Sequence, residues 1–186
     1  MSQTQENLLK AFAGESQARN KYTFDAQKAI QEGYVWIARI FEETADNERS
    51  HAERLYQSIE GPVKMTNSYG IDKLADTKTN LLNATGGENY ETTTMYPEFE
   101  KTAREEGFDV IANTFKEIGE VEEKHEERFK KMANRIEAGD FFESSDENTE
   151  WKCLNCGYIH KGSTAPKICP ACAKPQGWYM QLGFVR

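Results

Sequence analysis

Apolar residues recur at alternating steps of three and four along four stretches of the chain, the spacing that lines one face of an α-helix. The clearest stretch runs Ile111, Phe115, Ile118, Glu122, His125, Phe129, Met132, Ile136. A second runs Ile37, Phe41, Thr44, Glu48, His51, Leu55, and a third Leu81, Ala84, Glu88, Glu91, Met95, Phe99. The first in chain order runs Leu8, Ala11, Glu15, Ala18, Tyr22, Ala26, Ala29. Gly33 and Gly107 punctuate the first and second helix pairs as tight turns. Pro97 falls inside the third seam, where it removes a backbone donor, so an irregular, π-like turn is expected around Glu91.

The pattern fails between Gly61 and Asp76 and again between Asp140 and Thr149. The 16 residues of the first gap reach ~50 Å when extended, against ~39 Å for a 26-residue helix. That gap can therefore cross the whole length of a bundle. Two helix hairpins joined by one long crossover give an all-α, ferritin-like four-helix bundle over residues 1–139. The second gap, polar and acidic with Ser144-Ser145, reads as a linker over 140–150. Residues 151–186 form a second unit of 36 residues, too short to bury a sufficient core without a metal or disulfides.

Charge separates the same two units. The chain carries a net charge of −8, and the 37 residues from Glu150 carry +4, leaving −12 for the rest. An acidic chain of sequence pI near 5.1 lacks the dense basic face that nucleic-acid binding requires. No apolar run approaches the ~20 residues of a membrane span, and the first residues lack the basic and apolar regions of an export signal. A cytoplasmic protein is expected, with neither nucleic acid nor membrane as partner.

The apolar seams are interrupted by acids where they face the core. Glu48-x-x-His51 and Glu122-x-x-His125 each put two ligands on one helical face. Glu15 precedes Glu48 by 33 residues and Glu88 precedes Glu122 by 34, so the chemistry is repeated: one Glu, then Glu-x-x-His, twice. Four ionised carboxylates in an apolar core repel one another and lose hydration, at several kcal/mol per ion, unless cations are present. Oxygen donors with one imidazole per metal suit iron or manganese better than zinc. Glu91, three residues after Glu88, adds a seventh ligand and breaks the symmetry. Tyr22 and Tyr96 are candidates to donate hydrogen bonds to ligand carboxylates.

All four cysteines lie in the tail, as Cys153-x2-Cys156 and Cys169-x2-Cys172 separated by 12 residues. Two such knuckles surround one ion with four thiolates, iron or zinc. His160, outside any pattern, reads as a surface or packing residue.

The bundle motif is similar to that of the ferritin-like di-iron carboxylate proteins. The runs Trp151 to Tyr158 and Cys169-Pro170-Ala171-Cys172 resemble rubredoxin and favour iron, although Ala173 stands where rubredoxins commonly have Gly. The whole chain resembles the rubrerythrins, as do Ala13-Gly14-Glu15-Ser16-Gln17-Ala18-Arg19 and Met95-Tyr96-Pro97. That resemblance implies a non-haem peroxidase that reduces hydrogen peroxide to water in oxidative-stress defence. It implies two Fe ions held by Glu15, Glu48, His51, Glu88, Glu91, Glu122 and His125, and one Fe on the cysteines, with zinc as a possible substitute. Catalytic roles fall to Glu91, His51, Glu48, Tyr22 and Tyr96. Glu91 and His51 exchange as ligands to one iron, and Glu91, or else Glu48, relays protons. The same resemblance implies a homodimer in which each tail serves the other subunit's bundle. A small electron-transfer protein or an NAD(P)H-dependent reductase would supply the electrons. Two rival readings stand beside it: a ferroxidase of ferritin type, which has no use for the tail, and a zinc-ribbon adaptor with an acidic scaffold, which makes the carboxylate pattern accidental.

Overall fold

The computed structural model describes residues 2–184; Met1, Val185 and Arg186, at the outer ends of the two expected domains, lie outside the described residues. Helix α1 spans Gln3–Gln31, α2 Val35–Tyr56, α3 Thr77–Tyr90, α4 Tyr96–Glu105 and α5 Asp109–Ala138. Ser2 caps α1 by accepting from the Gln5 N–H at 3.3 Å, and Asp76 caps α3 by accepting from Thr79 at 2.9 Å. The turns expected at Gly33 and Gly107 have φ of 83° and 81°, a left-handed conformation that glycine adopts without strain.

Between α3 and α4, residues Glu91–Met95 form a π-helical turn, and the backbone stays helical throughout, so α3, this turn and α4 make one rod. The Tyr96 N–H donates to the Glu91 carbonyl five residues back. Pro97 follows at once, where no N–H is available to restore the ordinary ladder. The wider turn takes in one extra residue, and the buried position moves accordingly. Met95, on the seam read from the sequence, is only half-buried, while Tyr96 is fully buried and Ala103 continues the new register.

Side-chain bonds at the two ends of the bundle fix the helix directions. Thr4 bonds Glu106 and Gln5 bonds the Ser58 carbonyl at one end; Thr77 N–H donates to Glu32 and Lys78 pairs with Glu137 at the other. So α2 and the α3–α4 rod run the same way, which only a long crossover permits. The crossover returns along α1, where the Tyr69 hydroxyl donates to the Lys10 carbonyl and Lys21 pairs with Asp72.

Apolar burial falls into two clusters in the bundle. One holds Tyr22, Phe41, Leu81, Phe129 and Met132; the other holds Leu8, Leu55, Tyr96, Phe115 and Ile118. The buried polar residues Glu15, Glu48, Glu88, Glu122 and His125 lie on the helix turns between them.

In the tail, β1 (Glu150–Cys153) pairs antiparallel with β2 (Ile159–Lys161) on one side and β3 (Tyr179–Gln181) on the other. Trp151, Cys153, Cys169 and Tyr179 make its small core. His160 sits opposite Trp151 in the β1–β2 pair and is half-exposed. The tail rests on the α1–α2 turn of its own bundle. Phe184 meets Trp36 edge-on at 5.2 Å, and Lys131 stands 4.1 Å above the Phe184 ring. Residues 140–150 are not a loose tether. Phe141 is buried against Trp36 and Tyr34, and Arg135 bonds Asp140 at 2.5 Å. The acids and serines of this segment suggested a solvated linker; its Phe141-Phe142 pair supplies the packing that ties it down.

Candidate metal centres

Two groups of ligand atoms converge in the polar layer between the apolar clusters. Glu15, Glu48, His51 and Glu122 form one; Glu48, Glu88, Glu122 and His125 form the other, each with atoms within 4.8 Å of one another. Glu48 and Glu122 belong to both. Two cations held here would therefore sit side by side, linked by two carboxylates. His51 Nδ1 lies 2.8 Å from Glu122 Oε1, 3.3 Å from Glu48 Oε2 and 3.6 Å from Glu15 Oε2. His125 Nδ1 lies 2.6 Å from Glu122 Oε2 and 3.2 Å from Glu48 Oε1. α1, α2, the α3–α4 rod and α5 all contribute: α1 gives Glu15, α2 Glu48 and His51, α3 Glu88, α5 Glu122 and His125.

The electrostatics of this layer are those of a cation site. Burial pushes the Glu15, Glu88 and Glu91 carboxyls well above the ordinary range, and neighbouring carboxylates add to it. Burial acts the same way on Glu48, yet the adjacent His125 and His51 imidazoles hold it down to about 2. Burial depresses both imidazoles, but their carboxylate partners outweigh it and raise them. Glu15 Oε2, Glu48 Oε1, both oxygens of Glu122 and His125 Nδ1 are buried without a hydrogen-bond partner. Such orphaned polar atoms are costly in an apolar core, and here they face a common centre. Divalent cations satisfy all of them at once.

Glu91 lies outside both converging groups. Its carboxylate approaches the first through the space above Gly14, where an added β-carbon would stand 3.9 Å from Glu91 Oε1. The residue is half-buried, unlike the other carboxylates. Its turn also explains a detail of the sequence. The extra residue in the second half of the repeat, 34 against 33, falls between Glu88 and Gly107, since Gly33 to Glu48 and Gly107 to Glu122 are equal. That is the stretch containing the π turn, so the unequal spacing located it.

The same offset aligns the tyrosines. Tyr22 follows Glu15 by seven residues and Tyr96 follows Glu88 by eight. The Tyr22 hydroxyl donates to Glu88, and the Tyr96 hydroxyl donates to Glu15. Gly119, on α5 one turn before Glu122, makes room for the displaced Tyr96: an added β-carbon there would stand 3.1 Å from Tyr96 Cβ. Its counterpart in the first half is Ala45. The periodicity did not single Gly119 out, but its departure from the repeat marks it.

In the tail, Cys153 Sγ stands 3.7 Å from Cys172 Sγ, and Cys156 Sγ 3.7 Å from Cys169 Sγ. A tetrahedron with ~2.3 Å metal–sulfur bonds has edges of ~3.8 Å, so the four thiols fit one ion. The knuckles mirror each other: Gly157 N–H returns to the Cys153 carbonyl, Ala173 N–H to that of Cys169, both at 2.9 Å and both with positive φ. Against the burial penalty, the Tyr179 hydroxyl and the backbone N–H groups of Ala171 and Cys172 bring the Cys169 thiol down to about 6, a thiolate ready to bind metal.

Comparison with known proteins agrees with this geometry. The rubrerythrin family model matches residues 6–133, and that of the rubrerythrin rubredoxin-like domain matches residues 151–179. The chain belongs to the rubrerythrin family. It is 50% identical to Rubrerythrin-1 of Clostridium acetobutylicum over 183 residues, 96% of this chain and 93% of that one. It is 46% identical to the rubrerythrin of Nitratidesulfovibrio vulgaris, with 98% and 96% covered. Among solved structures, nigerythrin in a mixed-valence state matches with a TM-score of 0.66 at 34% identity, covering 97% of this chain and 87% of that one. Family members are oxidoreductases, and the residues described fit the di-iron and four-cysteine iron sites of a rubrerythrin.

Proposed function

We propose that this chain is a cytoplasmic peroxidase that reduces hydrogen peroxide to water in the carboxylate layer with electrons passed through its own four-cysteine centre. The observation that carries the reading is that Glu48 and Glu122 belong to both donor groups, in a chain that also holds a one-electron thiolate site. When bound, the iron pair supplies two electrons and Lewis acidity for breaking the O–O bond. Hydrogen peroxide takes up those two electrons and two protons and leaves as two waters.

The chain's residues divide the remaining work. Glu48 and Glu122, which belong to both donor groups, would help hold both cations, and His51 and His125 would each add a nitrogen to one group. Glu15 and Glu88 would each serve one cation, and Tyr96 and Tyr22 fix the orientation of these two carboxylates by hydrogen bonds. Glu91, half-buried at the edge of the first group, would be the alternative ligand to His51 and is placed to carry protons inward; Glu48 is the second candidate for that proton role.

Electrons must reach this layer from the tail. Val35, where the tail rests, lies 13 residues before Glu48 on α2, about 20 Å along the helix. A head-to-tail homodimer shortens that path, each +4 tail serving the −12 bundle of the partner. A small electron-transfer protein or an NAD(P)H-dependent reductase refills the tail. Among the described residues no helix is long and apolar enough to cross a membrane.

The test is anaerobic purification, metal analysis, reduction and rapid mixing with peroxide. About three irons per chain and reoxidation of both centres by peroxide, faster than by dioxygen, are expected. One zinc per chain with a bundle that stays empty after iron reconstitution overturns the reading in favour of an adaptor. Oxygen consumption that outruns peroxide consumption, in a shell-forming oligomer, overturns it in favour of a ferroxidase.

A further inference from the structure

The internal repeat places an arginine three residues after each histidine: Arg54 after His51, Arg128 after His125. Residues three apart share a helical face, so each arginine stands one turn beyond its ligand on the seam between α2 and α5. The two behave differently. Arg128 folds across the seam, donating to Glu43 at 2.9 Å and to the Thr44 hydroxyl at 2.6 Å, and its side chain is only 12% exposed. Arg54 stays exposed and reaches α5 through a single 3.5 Å contact with the Thr114 hydroxyl. Beside it lies an open groove of about 380 Å³ lined by Arg54, Val110, Asn113, Thr114, Glu117 and Ile118. Ile118 is one turn before Glu122 on α5, as Arg54 is one turn beyond His51 on α2, so the groove closes one helical turn short of the His51–Glu122 pair. The histidines follow suit: the His51 side chain is 13% exposed, that of His125 5%.

We propose that the α2–α5 seam at Arg54 is the port through which hydrogen peroxide reaches the His51 end of the carboxylate layer, the equivalent seam at His125 being sealed by Arg128. The groove suits the ligand. Peroxide is small, uncharged and able both to donate and to accept hydrogen bonds, and the guanidinium, amide, hydroxyl and carboxylate along this groove offer both partners. Access on one side only also sets an order: incoming peroxide meets His51, the ligand expected to exchange with Glu91, before it meets His125. The inference rests on the peroxidase reading, and its test separates the two.

Blocking the groove should slow passage without altering the site. The substitution Thr114→Trp fills it from α5; Asn113→Trp, at the exposed rim, is the second blocking variant should the first fold poorly; Lys130→Trp, exposed elsewhere on α5, is the control. Two readouts on iron-loaded protein are required. In the reduced state, the second-order rate constant for reoxidation by peroxide should fall at least tenfold in the blocked variants and stay within twofold of the parent in the control. In the oxidised state, azide followed by its absorption change should bind and leave more slowly by the same factor, with its dissociation constant unchanged, because a port affects both directions equally. A blocked variant with parental rates overturns the port and points to access beside Glu91. A slowed reoxidation with a weakened azide constant also overturns it, since the substitution then acts on the metal site rather than on passage. Should the parent itself not be oxidised by peroxide, the peroxidase reading falls, and a peroxide port falls with it, whatever the azide exchange rates show.

Discussion

Tyr22 on the first helix donates its hydroxyl hydrogen to Glu88 on the third, and Tyr96, past the π turn of the third, donates to Glu15 on the first. The two bonds cross the bundle in opposite directions and tie down the two carboxylates that belong to only one donor group each. The shared carboxylates, Glu48 and Glu122, are instead held against the histidines. Each class of ligand thus has its own support.

That division predicts the effect of removing one hydroxyl. Tyr22→Phe or Tyr96→Phe keeps the ring packing against Phe41 and Phe129, or against Phe115, and deletes only the donor. Loss of such a supporting bond typically weakens metal binding by about 10- to 100-fold. Iron affinity of the bundle, measured by competition with a chelator, is expected to fall by that factor in each variant, with the tail iron unaffected. A parental affinity in both variants shows that the tyrosines act in packing alone.

The fold and ligand set were legible in the sequence because a period of three and four is hard to sustain by chance, and because the same acid and histidine spacing occurs twice. Residues Glu15, Glu48, His51, Glu88, Glu122 and His125 converge as their positions on the seams require. The crossover was legible from its length against that of the helices. Less legible was anything set by close approach between distant parts. Gly119 matters only because Tyr96 is displaced towards it, and Gly177 only because the tail rests on Gly33. An unbroken period puts Met95 on the seam, whereas beyond the π turn the structure buries Tyr96 instead, the residue already marked as a hydrogen-bond donor. The inequality of 33 and 34 residues contained the correction.

Ala173 carries a φ of 58°, where its knuckle counterpart is Gly157 at 78°. A β-carbon in this conformation costs about 1–2 kcal/mol, against about 0.4–1 kcal/mol for the extra freedom glycine has in the unfolded chain. Ala173→Gly should therefore stabilise the tail by roughly 0.5–1 kcal/mol, and Gly157→Ala should destabilise it by a similar amount. The midpoint of denaturant unfolding, followed by loss of the thiolate–iron absorption, measures both. A Gly variant less stable than the parent shows that no strain is stored at Ala173.

A β-carbon added at Gly177 would stand 1.8 Å from the Gly33 carbonyl oxygen, a backbone atom that cannot turn aside. Gly177→Ala is expected to lift the tail from the α1–α2 turn, at a cost in docking of about 1–3 kcal/mol. Protease cleavage within residues 140–150 should then accelerate, while the metal content of the bundle stays at its parental value. Unchanged cleavage shows that the tail is held by Phe184 and Phe141 regardless of this contact.

The carboxylate layer also fixes how stability depends on pH, and the sign differs between metal-free and loaded protein. Glu15, Glu88 and Glu91 are raised in the folded chain, so the stability they contribute is complete below the ordinary carboxylate value and is lost as pH climbs through the raised values. His51 and His125 are raised too; their contribution is complete below about 6.5 and disappears as pH rises through the folded values. Asp25, lifted to about 6 by burial, adds to the same trend between about 4 and 6. Within the layer Glu48, held down to about 2, acts the other way, and its window closes below the ordinary carboxylate range. The metal-free bundle should therefore melt at a lower temperature at pH 8.5 than at pH 5.5. Iron binding demands the deprotonated ligands, so the stabilisation it confers should grow over the same interval. Thermal melts of both forms at the two pH values decide the matter: a metal-free bundle that gains stability towards pH 8.5 shows that protons do not occupy the places of the metals.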